Sequence, residues 1–171
     1  ALQGMGTTFI KLGQFLATRP DIIGEEIAKE LEKLQDKLPP FQLEKAKNIL
    51  RKELEKENFD KITNFSESIA AASIAQVHFA TINGSDEKKE VAIKILRPNI
   101  EKIFNDELDA LMLLAYMVES LIKKTKRLKL VEVVQLLREI TNVEMDLRFE
   151  AAAANELYEN TKNDVGFKVP K

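Results

Sequence analysis

Residues 70–77 read AAASIAQV and residues 91–94 read VAIK. The first run has the spacing of a nucleotide-binding loop, G-x-G-x-x-G-x-V, with Ala70, Ala72 and Ala75 at the three glycine positions. The second run has the form of a strand that carries a phosphate-binding lysine, and an Asn-Gly turn lies between the two runs. Together they predict a nucleotide-binding hairpin that has alanine where glycine is expected.

The lysine strand has two faces of different character. Successive side chains of a strand point to opposite faces, so Ala92 and Lys94 share one face while the alternate aliphatic residues share the other. A small residue two positions from a long cation suits an adenine base on the strand, with the ammonium reaching the phosphates and Val77 covering the base. The alternative is an ordinary buried strand whose single lysine reaches solvent.

Composition limits the possible functions. The 171 residues are enough for one ordinary domain or for one lobe of a larger one. The 26 basic and 28 acidic side chains give a net charge of −2 and a pI of about 5.7, which offers no electrostatic footprint for nucleic acid. The lack of cysteine excludes disulfides, thiolate catalysis and cysteine-based metal sites. No run approaches the ~18 consecutive apolar residues of a membrane span.

The hydrophobic period changes from helical to two and back again along the chain. Helical spacing predicts three helices at 8–18, 25–36 and 43–54. Alternation predicts strands at 62–65, 75–82 and 89–96. Long helices follow at 98–122 and 130–160, joined by a charged, solvated loop at 123–129. The prediction is an α+β chain with a helical extension, 1–58, and a sheet-containing portion, 59–171.

Three carboxylates lie near the middle of the last predicted helix. A lysine near phosphates is normally held by a carboxylate on a helix, and Glu150 is the best candidate to hold Lys94. Asp146 lies one turn earlier on the same face. Glu144 lies about 200° around a straight helix from Asp146, so the two cannot both point into one site. The alternative for Glu144 is a surface pair with Arg148 at i+4.

The amino-terminal helix presents Lys11 and Gln14 on one face, with Gly13 between them. Glycine inside a helix costs about 1 kcal/mol relative to alanine, so Gly13 indicates close backbone packing. Taken alone, Lys11 and Gln14 would form a solvated face. The only histidine, His78, lies in a predicted strand beside Val77 and is interpreted as structural rather than catalytic.

Short motifs can be picked out along nearly the whole chain. They are FIKLGQ at 9–14, TRPD at 18–21, KLQD at 33–36, PPF at 39–41, AAASIAQVH at 70–78, VAIK at 91–94, Arg97-Pro98, and Glu150-Ala151 with Asn155. In this order they resemble the UbiB (ADCK) family of atypical protein-kinase-like proteins. The specificity comes from the collinear order, since each motif alone is weak.

The resemblance implies a kinase-like small lobe, a short antiparallel sheet with helices, preceded by an added helical extension. Lys11, Gly13 and Gln14 stand at the family's K-x-G-Q motif, whose extension folds across the nucleotide pocket and restrains protein-kinase activity. Glu144 and Asp146 stand at its E-x-D motif, which faces the same pocket. For Glu144, this regulatory interpretation takes precedence over the surface pair with Arg148.

The same resemblance implies an ion pair between Lys94 and Glu150 and a binding site for ATP or ADP. The residues expected to contact the nucleotide are Ala70, Ala71, Ala72, Ser73, Ala75, Val77, Ala92 and Lys94. The chain contains no D-F-G and no H-R-D or similar sequence, so the Mg²⁺ ligands and the large lobe are expected outside it. No metal ligand is assigned within the chain.

The family is tied to ubiquinone (coenzyme Q) biosynthesis, so the resemblance implies the ATP-binding portion of an atypical kinase or ATPase in that pathway. It implies lipid or quinone-pathway proteins as partners, and a place at the cytoplasmic side of a bacterial inner membrane, or in the equivalent organelle. Nucleic acid is not expected as a partner. The alternative is a non-catalytic pseudokinase or lipid-presenting scaffold that uses nucleotide only as a conformational ligand.

Each loop alanine adds a methyl group that blocks close approach of the backbone to phosphates and disfavours positive φ. We therefore expect the loop, with Ser73 as a hydroxyl donor, to change nucleotide preference or pose. The same change is expected to disfavour ordinary phosphorylation of proteins.

Overall fold

The computed structural model describes residues 6–34, 38–84 and 87–170. The architecture is α+β, and the chain divides into two compact units, Ala1–Glu107 and Leu108–Lys171. The first unit contains short helices and an antiparallel sheet, and the second is helical in its described residues. The predicted α+β architecture, a short antiparallel sheet with helices and additional amino-terminal helices, is confirmed.

Five helices precede the sheet in the described part of the chain: α1 (Thr7–Ala17), α2 (Pro20–Ile23), α3 (Glu25–Leu31), α4 (Leu43–Glu53) and α5 (Lys56–Asp60). The predictions for α1 and α4 are confirmed to within a residue at each end. The short helices α2 and α5 are absent from the prediction, and Pro20 occupies the first turn of α2, where it suits a helix. The helix predicted to Asp36 ends at Leu31, while residues 35 and 36 lie outside the described residues.

The sheet in the described residues has four antiparallel strands, β1 (Ile62–Thr63), β2 (Ser68–Ala71), β3 (Ala75–Asn83) and β4 (Lys88–Leu96). β4 pairs along the whole of β3, and β2 and β1 pair with successive parts of β3. The predicted hairpin is therefore confirmed. β1 is shorter than predicted and ends before Asn64, which has a left-handed φ of 51°.

Strand β2 is a correction to the sequence prediction, which places no strand at 68–71. Small residues give a weak β signal, because they offer little side-chain surface to pack on the sheet. The strand forms because β3 supplies hydrogen-bonding partners, with Ala71 opposite Gln76 and Ser68 opposite His78. The first two alanines of the alanine-rich run therefore belong to a strand rather than to a loop.

One face of the sheet packs on α4. Ala46 and Leu50 of α4 form a buried cluster with Ile95 of β4. The partly buried side chains around this cluster are Phe41, Ile49, Leu54, Phe59, Phe65 and Ile93. The end of the predicted helical extension thus shares its core with the lysine strand.

The second unit contains an antiparallel pair of helices. Its helices are α6 (Ile100–Leu121, in this unit from Leu108 onward), a 3₁₀ helix (Lys123–Leu128), α7 (Leu130–Met145) and α8 (Leu147–Thr161). Asp109 accepts a hydrogen bond from Arg138 at 2.6 Å, and Glu119 accepts the amide of Val131 at 3.1 Å. The segment predicted as a solvated loop at 123–129 is largely this 3₁₀ helix.

The helix predicted over 130–160 is interrupted at Asp146, which is a further correction. Asp146 has φ −91° and ψ 92°, outside the helical region, and its Oδ1 accepts the amide of Arg148 at 3.0 Å. This N-cap satisfies an amide that has no partner within α8. The Arg148 guanidinium also donates to both carboxylate oxygens, at 2.8 and 2.6 Å. Glu144 lies on α7 and Arg148 lies on α8, so the i,i+4 spacing expected for their surface pair does not apply. The argument that Glu144 and Asp146 point about 200° apart also assumed one straight helix, and it no longer holds.

The Asp146 cap predicts a pH-dependent contribution to stability. The hydrogen bond from the Arg148 side chain, more than any other cause, lowers the pKa of Asp146. A lowered folded pKa means that the carboxylate stabilises the fold above its unfolded pKa and loses this effect as the pH falls through the folded pKa. Asp146→Asn keeps a cap acceptor without the charge, and Asp146→Ala removes both.

We therefore expect the melting temperature to fall in the order wild type, Asp146→Asn, Asp146→Ala near neutral pH, measured by circular dichroism. The difference between wild type and Asp146→Asn should shrink as the pH is lowered below the ordinary aspartate range. A difference that grows in acid would contradict this assignment.

Candidate functional site

The sheet register gathers several predicted nucleotide-contacting residues on one face. Val77 lies opposite Lys94, Ala70 lies opposite Val77, and Phe79 lies opposite Ala92. Residues directly opposite each other in an antiparallel ladder point to the same face. Ala70, Ala92 and Lys94 are exposed and Val77 is half-buried. These five residues form an accessible surface, which we call the open face.

The opposite face of the hairpin is packed. Ile95 is buried and Ile93 is half-buried against α4, and Gln76 and His78 of β3 are buried on the same side. The expected division of the lysine strand into one packed and one reaching face is confirmed. A strand buried on both faces is excluded, because both Ala92 and Lys94 are exposed.

Phe79 belongs to the open face and is missing from the sequence prediction. Its side chain is 57% exposed, although it lies in the middle of β3. A pocket of about 510 Å³ lies beside it, with Thr81, Glu90 and Ala92 among its lining residues. An aromatic ring next to a small residue offers a flat apolar surface for a base. Phe79 lies two positions after Val77 in the same strand, so period-two alternation could have placed both side chains on one face.

Arg97, directly after β4, holds the loop between β2 and β3. Its Nε and Nη2 donate to the carbonyl of Ala72 at 3.0 and 2.9 Å, and Nη2 also donates to the carbonyl of Pro39 at 3.1 Å. The Arg97 amide donates to Ile74 O, and the Ala72 amide donates to Ala75 O, both at 2.8 Å. One guanidinium therefore joins the loop, the lysine strand and the helical extension.

The backbone of the alanine-rich loop does not require glycine. Among the described residues, the non-glycine positions with positive φ are Asn64, Asn99 and Lys129, so the loop alanines lie outside the left-handed region. Alanine therefore adopts this loop without backbone strain. Ser73 is fully buried, so its hydroxyl is not presented to solvent, and its role as a donor to nucleotide stays a prediction.

Gln76 forms a second link between the extension and the hairpin. Its Oε1 accepts the amide of Phe41 at 2.9 Å, and its Nε2 donates to Phe41 O at 3.2 Å and to His78 Nε2 at 2.9 Å. His78 Nδ1 then donates to Ser66 O at 2.8 Å, and its ring stacks on Phe65. This network assigns His78 as the neutral tautomer protonated on Nδ1. His78 is structural, as predicted.

The remaining predicted site residues lie on helices. They are Lys11, Gly13 and Gln14 of α1 in the first unit, and Glu144, Asp146 and Glu150 at α7 and α8 in the second. Gly13 is buried, as close packing of its backbone requires. The Lys94–Glu150 ion pair and the regulatory roles stay predictions. Within the described ranges, no group of three or more His, Cys, Asp or Glu side chains is placed to hold a metal ion.

The antiparallel sheet with an outward-facing lysine on its hairpin and the helices that accompany it form the architecture expected of an atypical kinase-like small lobe. The family model of the ABC1 atypical kinase-like domain matches residues 33–171. The chain therefore belongs to the ABC1 (UbiB) family of atypical kinase-like proteins.

Individual relatives agree with this assignment. Proteins named "Probable protein kinase UbiB" from Marinobacter nauticus, Histophilus somni and Pseudomonas paraeruginosa are 39%, 40% and 38% identical over 99%, 100% and 100% of this chain. The chain spans 31% to 32% of the length of these relatives.

The Arg97 contacts predict a large effect of truncation. Arg97→Ala leaves the carbonyls of Ala72 and Pro39 without their charged donor, and we expect a loss of about 2 kcal/mol in the free energy of unfolding. Arg97→Lys should recover only part of this, because an ammonium cannot reproduce the guanidinium fork. Urea titration provides the measurement, with Arg127→Ala on the exposed 3₁₀ helix as the control. Equal effects of Arg97→Ala and Arg127→Ala would argue against the role of Arg97.

Proposed function

We propose that this chain is the nucleotide-binding small-lobe portion of an ATP-dependent kinase-like enzyme or ATPase that supports ubiquinone biosynthesis. The observation that carries the proposal is that Ala70, Val77, Ala92 and Lys94 lie together on the open face, where all except the half-buried Val77 are exposed. The small and aliphatic residues suit the base of ATP or ADP, and the lysine suits its phosphates. The pathway rests on the family resemblance and on the UbiB name of the relatives.

The proposed roles combine the positions on the open face with the family resemblance. Val77, Phe79 and Ala92 contact the base, and Lys94 contacts the phosphates. The role of Glu150 in holding Lys94 is proposed from the family resemblance alone. Mg²⁺ supplies neutralisation of phosphate charge when it is bound, and its ligands are expected outside this chain. The residues of the open face fit the nucleotide, since they combine an apolar surface for the base with one cation, Lys94, for the phosphates.

The proposed regulation involves Lys11, Gly13 and Gln14 together with Glu144 and Asp146. These motifs would restrain protein-kinase activity by occupying space that a protein substrate needs. Two long-range contacts support a connection between the extension and the loop, namely Arg97 to Pro39 and Gln76 to Phe41. A change at Pro39 or Phe41 of the extension therefore has a direct route to the nucleotide loop and its hairpin.

The second candidate function is a pseudokinase or lipid-presenting scaffold that responds to nucleotide without turning it over. The burial of Ser73 and the double hydrogen bond on the Ala72 carbonyl favour it, because a loop held in this way is poorly suited to close over a triphosphate. Turnover by the complete protein distinguishes the two functions.

Lipid or quinone-pathway proteins and a membrane surface are the proposed partners. The location proposed is peripheral to the cytoplasmic side of a bacterial inner membrane or to its organellar equivalent. In the described part of the chain, none of the helices combines the length and apolar character needed to cross a bilayer.

Lys94→Ala tests the proposed nucleotide site. Loss of one charge-assisted contact to phosphate should weaken ATP binding by about tenfold to a hundredfold and abolish ATP hydrolysis by the complete protein. Lys88→Ala is the matched control, because Lys88 is exposed on the same face of the same strand. Binding is measured by calorimetry and hydrolysis by phosphate release. Unchanged binding would contradict the site, whereas lost binding in a protein that never hydrolyses ATP would favour the second function.

Ala72→Gly tests the role of the alanine-rich loop. Because Ala72 has an ordinary φ, glycine should lower the free energy of unfolding by about 0.5–1 kcal/mol through greater freedom of the unfolded chain. In the complete protein the ratio of ATP affinity to ADP affinity should change, since the loop backbone gains access to the phosphates. Chemical denaturation and calorimetric titration with both nucleotides provide the measurements. An unchanged affinity ratio would refute the proposed effect on nucleotide preference.

A further inference from the structure

A pair of polar side chains borders the open face on the side away from Lys94. Thr81 of β3 lies opposite Glu90 of β4, two residues beyond the Phe79–Ala92 pair in each strand. Alternate residues of a strand share a face, and so do residues directly opposite each other. Thr81 and Glu90 therefore lie on the same face as Phe79 and Ala92. We call these two residues the polar edge.

The polar edge offers both a donor and an acceptor to the pocket beside Phe79. Asn64 Nδ2 donates to Thr81 Oγ1 at 3.3 Å, which leaves the hydroxyl proton of Thr81 to donate elsewhere. Glu90 is exposed, and an ionised carboxylate only accepts hydrogen bonds. Both residues line the pocket of about 510 Å³, together with Asn64 and Ala92. One wall of the pocket can thus distinguish donors from acceptors on a ligand.

Strand β4 presents three kinds of group in order on this face. Lys94, Ala92 and Glu90 succeed one another toward the hairpin turn, at intervals of two residues or about 7 Å. A purine nucleotide has the same order, because the ribose and phosphates join one side of the base and the exocyclic group lies on the opposite side. With the phosphates at Lys94 and the base on Ala92, the far side of the base lies at Glu90.

We propose that Glu90 and Thr81 contact this far side of the base and select adenine over hypoxanthine. The proposal rests on the proposed nucleotide site and adds the residues that determine its base specificity. Adenine carries an amino group at position 6, which donates to the Glu90 carboxylate, and Thr81 donates to the adjacent ring nitrogen. Hypoxanthine carries a carbonyl oxygen at position 6. Two acceptors then face each other at Glu90, and no hydrogen bond forms.

Binding of ATP and ITP by the complete protein measures this selectivity, since ITP differs from ATP only on this side of the base. We expect the wild-type protein to bind ATP about tenfold more tightly than ITP in calorimetric titrations. Glu90→Gln keeps the size and an acceptor but adds an amide donor that suits the carbonyl of ITP, so the ratio of the two affinities should fall toward one. Glu101→Gln is the matched control, because it removes an exposed carboxylate from α6 and should leave the ratio unchanged.

Thr81→Val is a second variant, which keeps the shape of the side chain and removes its hydroxyl. It should weaken ATP binding by about threefold to tenfold and have a smaller effect on ITP. Because the ratio is measured within each variant, a smaller folded fraction does not imitate the expected change. Lys94→Ala should weaken both nucleotides equally, since ATP and ITP carry the same phosphates.

Three outcomes overturn the proposal. Equal affinity of the wild-type protein for ATP and ITP, or a wild-type ratio in both Glu90→Gln and Thr81→Val, removes the role of the polar edge and leaves the nucleotide site in place. Absence of ATP binding by the wild-type protein removes the nucleotide site itself, and the base specificity with it. The first two results are thereby distinguished from a failure of the proposed function.

Discussion

The guanidinium of Arg97 on the Ala72 carbonyl is the contact on which the arrangement of the first unit depends. Two of its nitrogens donate to one carbonyl, and the same group reaches the carbonyl of Pro39. The loop, the end of the lysine strand and the segment after α3 are thereby joined through one planar side chain. Gln76 repeats this connection at Phe41, so the extension and the hairpin are linked at two adjacent points.

This double connection explains how an alanine-rich loop takes a defined shape without glycine. The backbone follows ordinary φ values, and side chains from elsewhere supply hydrogen bonds that fix its position. As a consequence, the Ala72 carbonyl is already hydrogen-bonded to Arg97 and the Ser73 side chain is buried in the protein. A phosphate-binding loop of glycines instead keeps its backbone free to approach the ligand.

Local signals account for the elements that the sequence predicted well. The alternation in β3 and β4 and the helical spacing of α1 and α4 are visible because each side chain's burial repeats with the period of its own backbone. The break at Asp146 was not predicted, because the apolar spacing continues on both sides of it. The cap depends on a single residue with an extended ψ, and a pattern of hydrophobicity does not contain that information.

By itself the sequence determined the family, the position of the hairpin and the side of the strand on which Lys94 lies, since collinear motifs and period-two alternation are properties of consecutive residues. Only the tertiary structure decided that β2 joins the sheet, that Phe79 lies exposed beside Ala92, and that Arg97 and Gln76 hold the loop to the extension. These contacts join residues 25, 35 and 58 positions apart. Their partners are backbone groups that every residue carries, so no local pattern distinguishes them until the chain has folded.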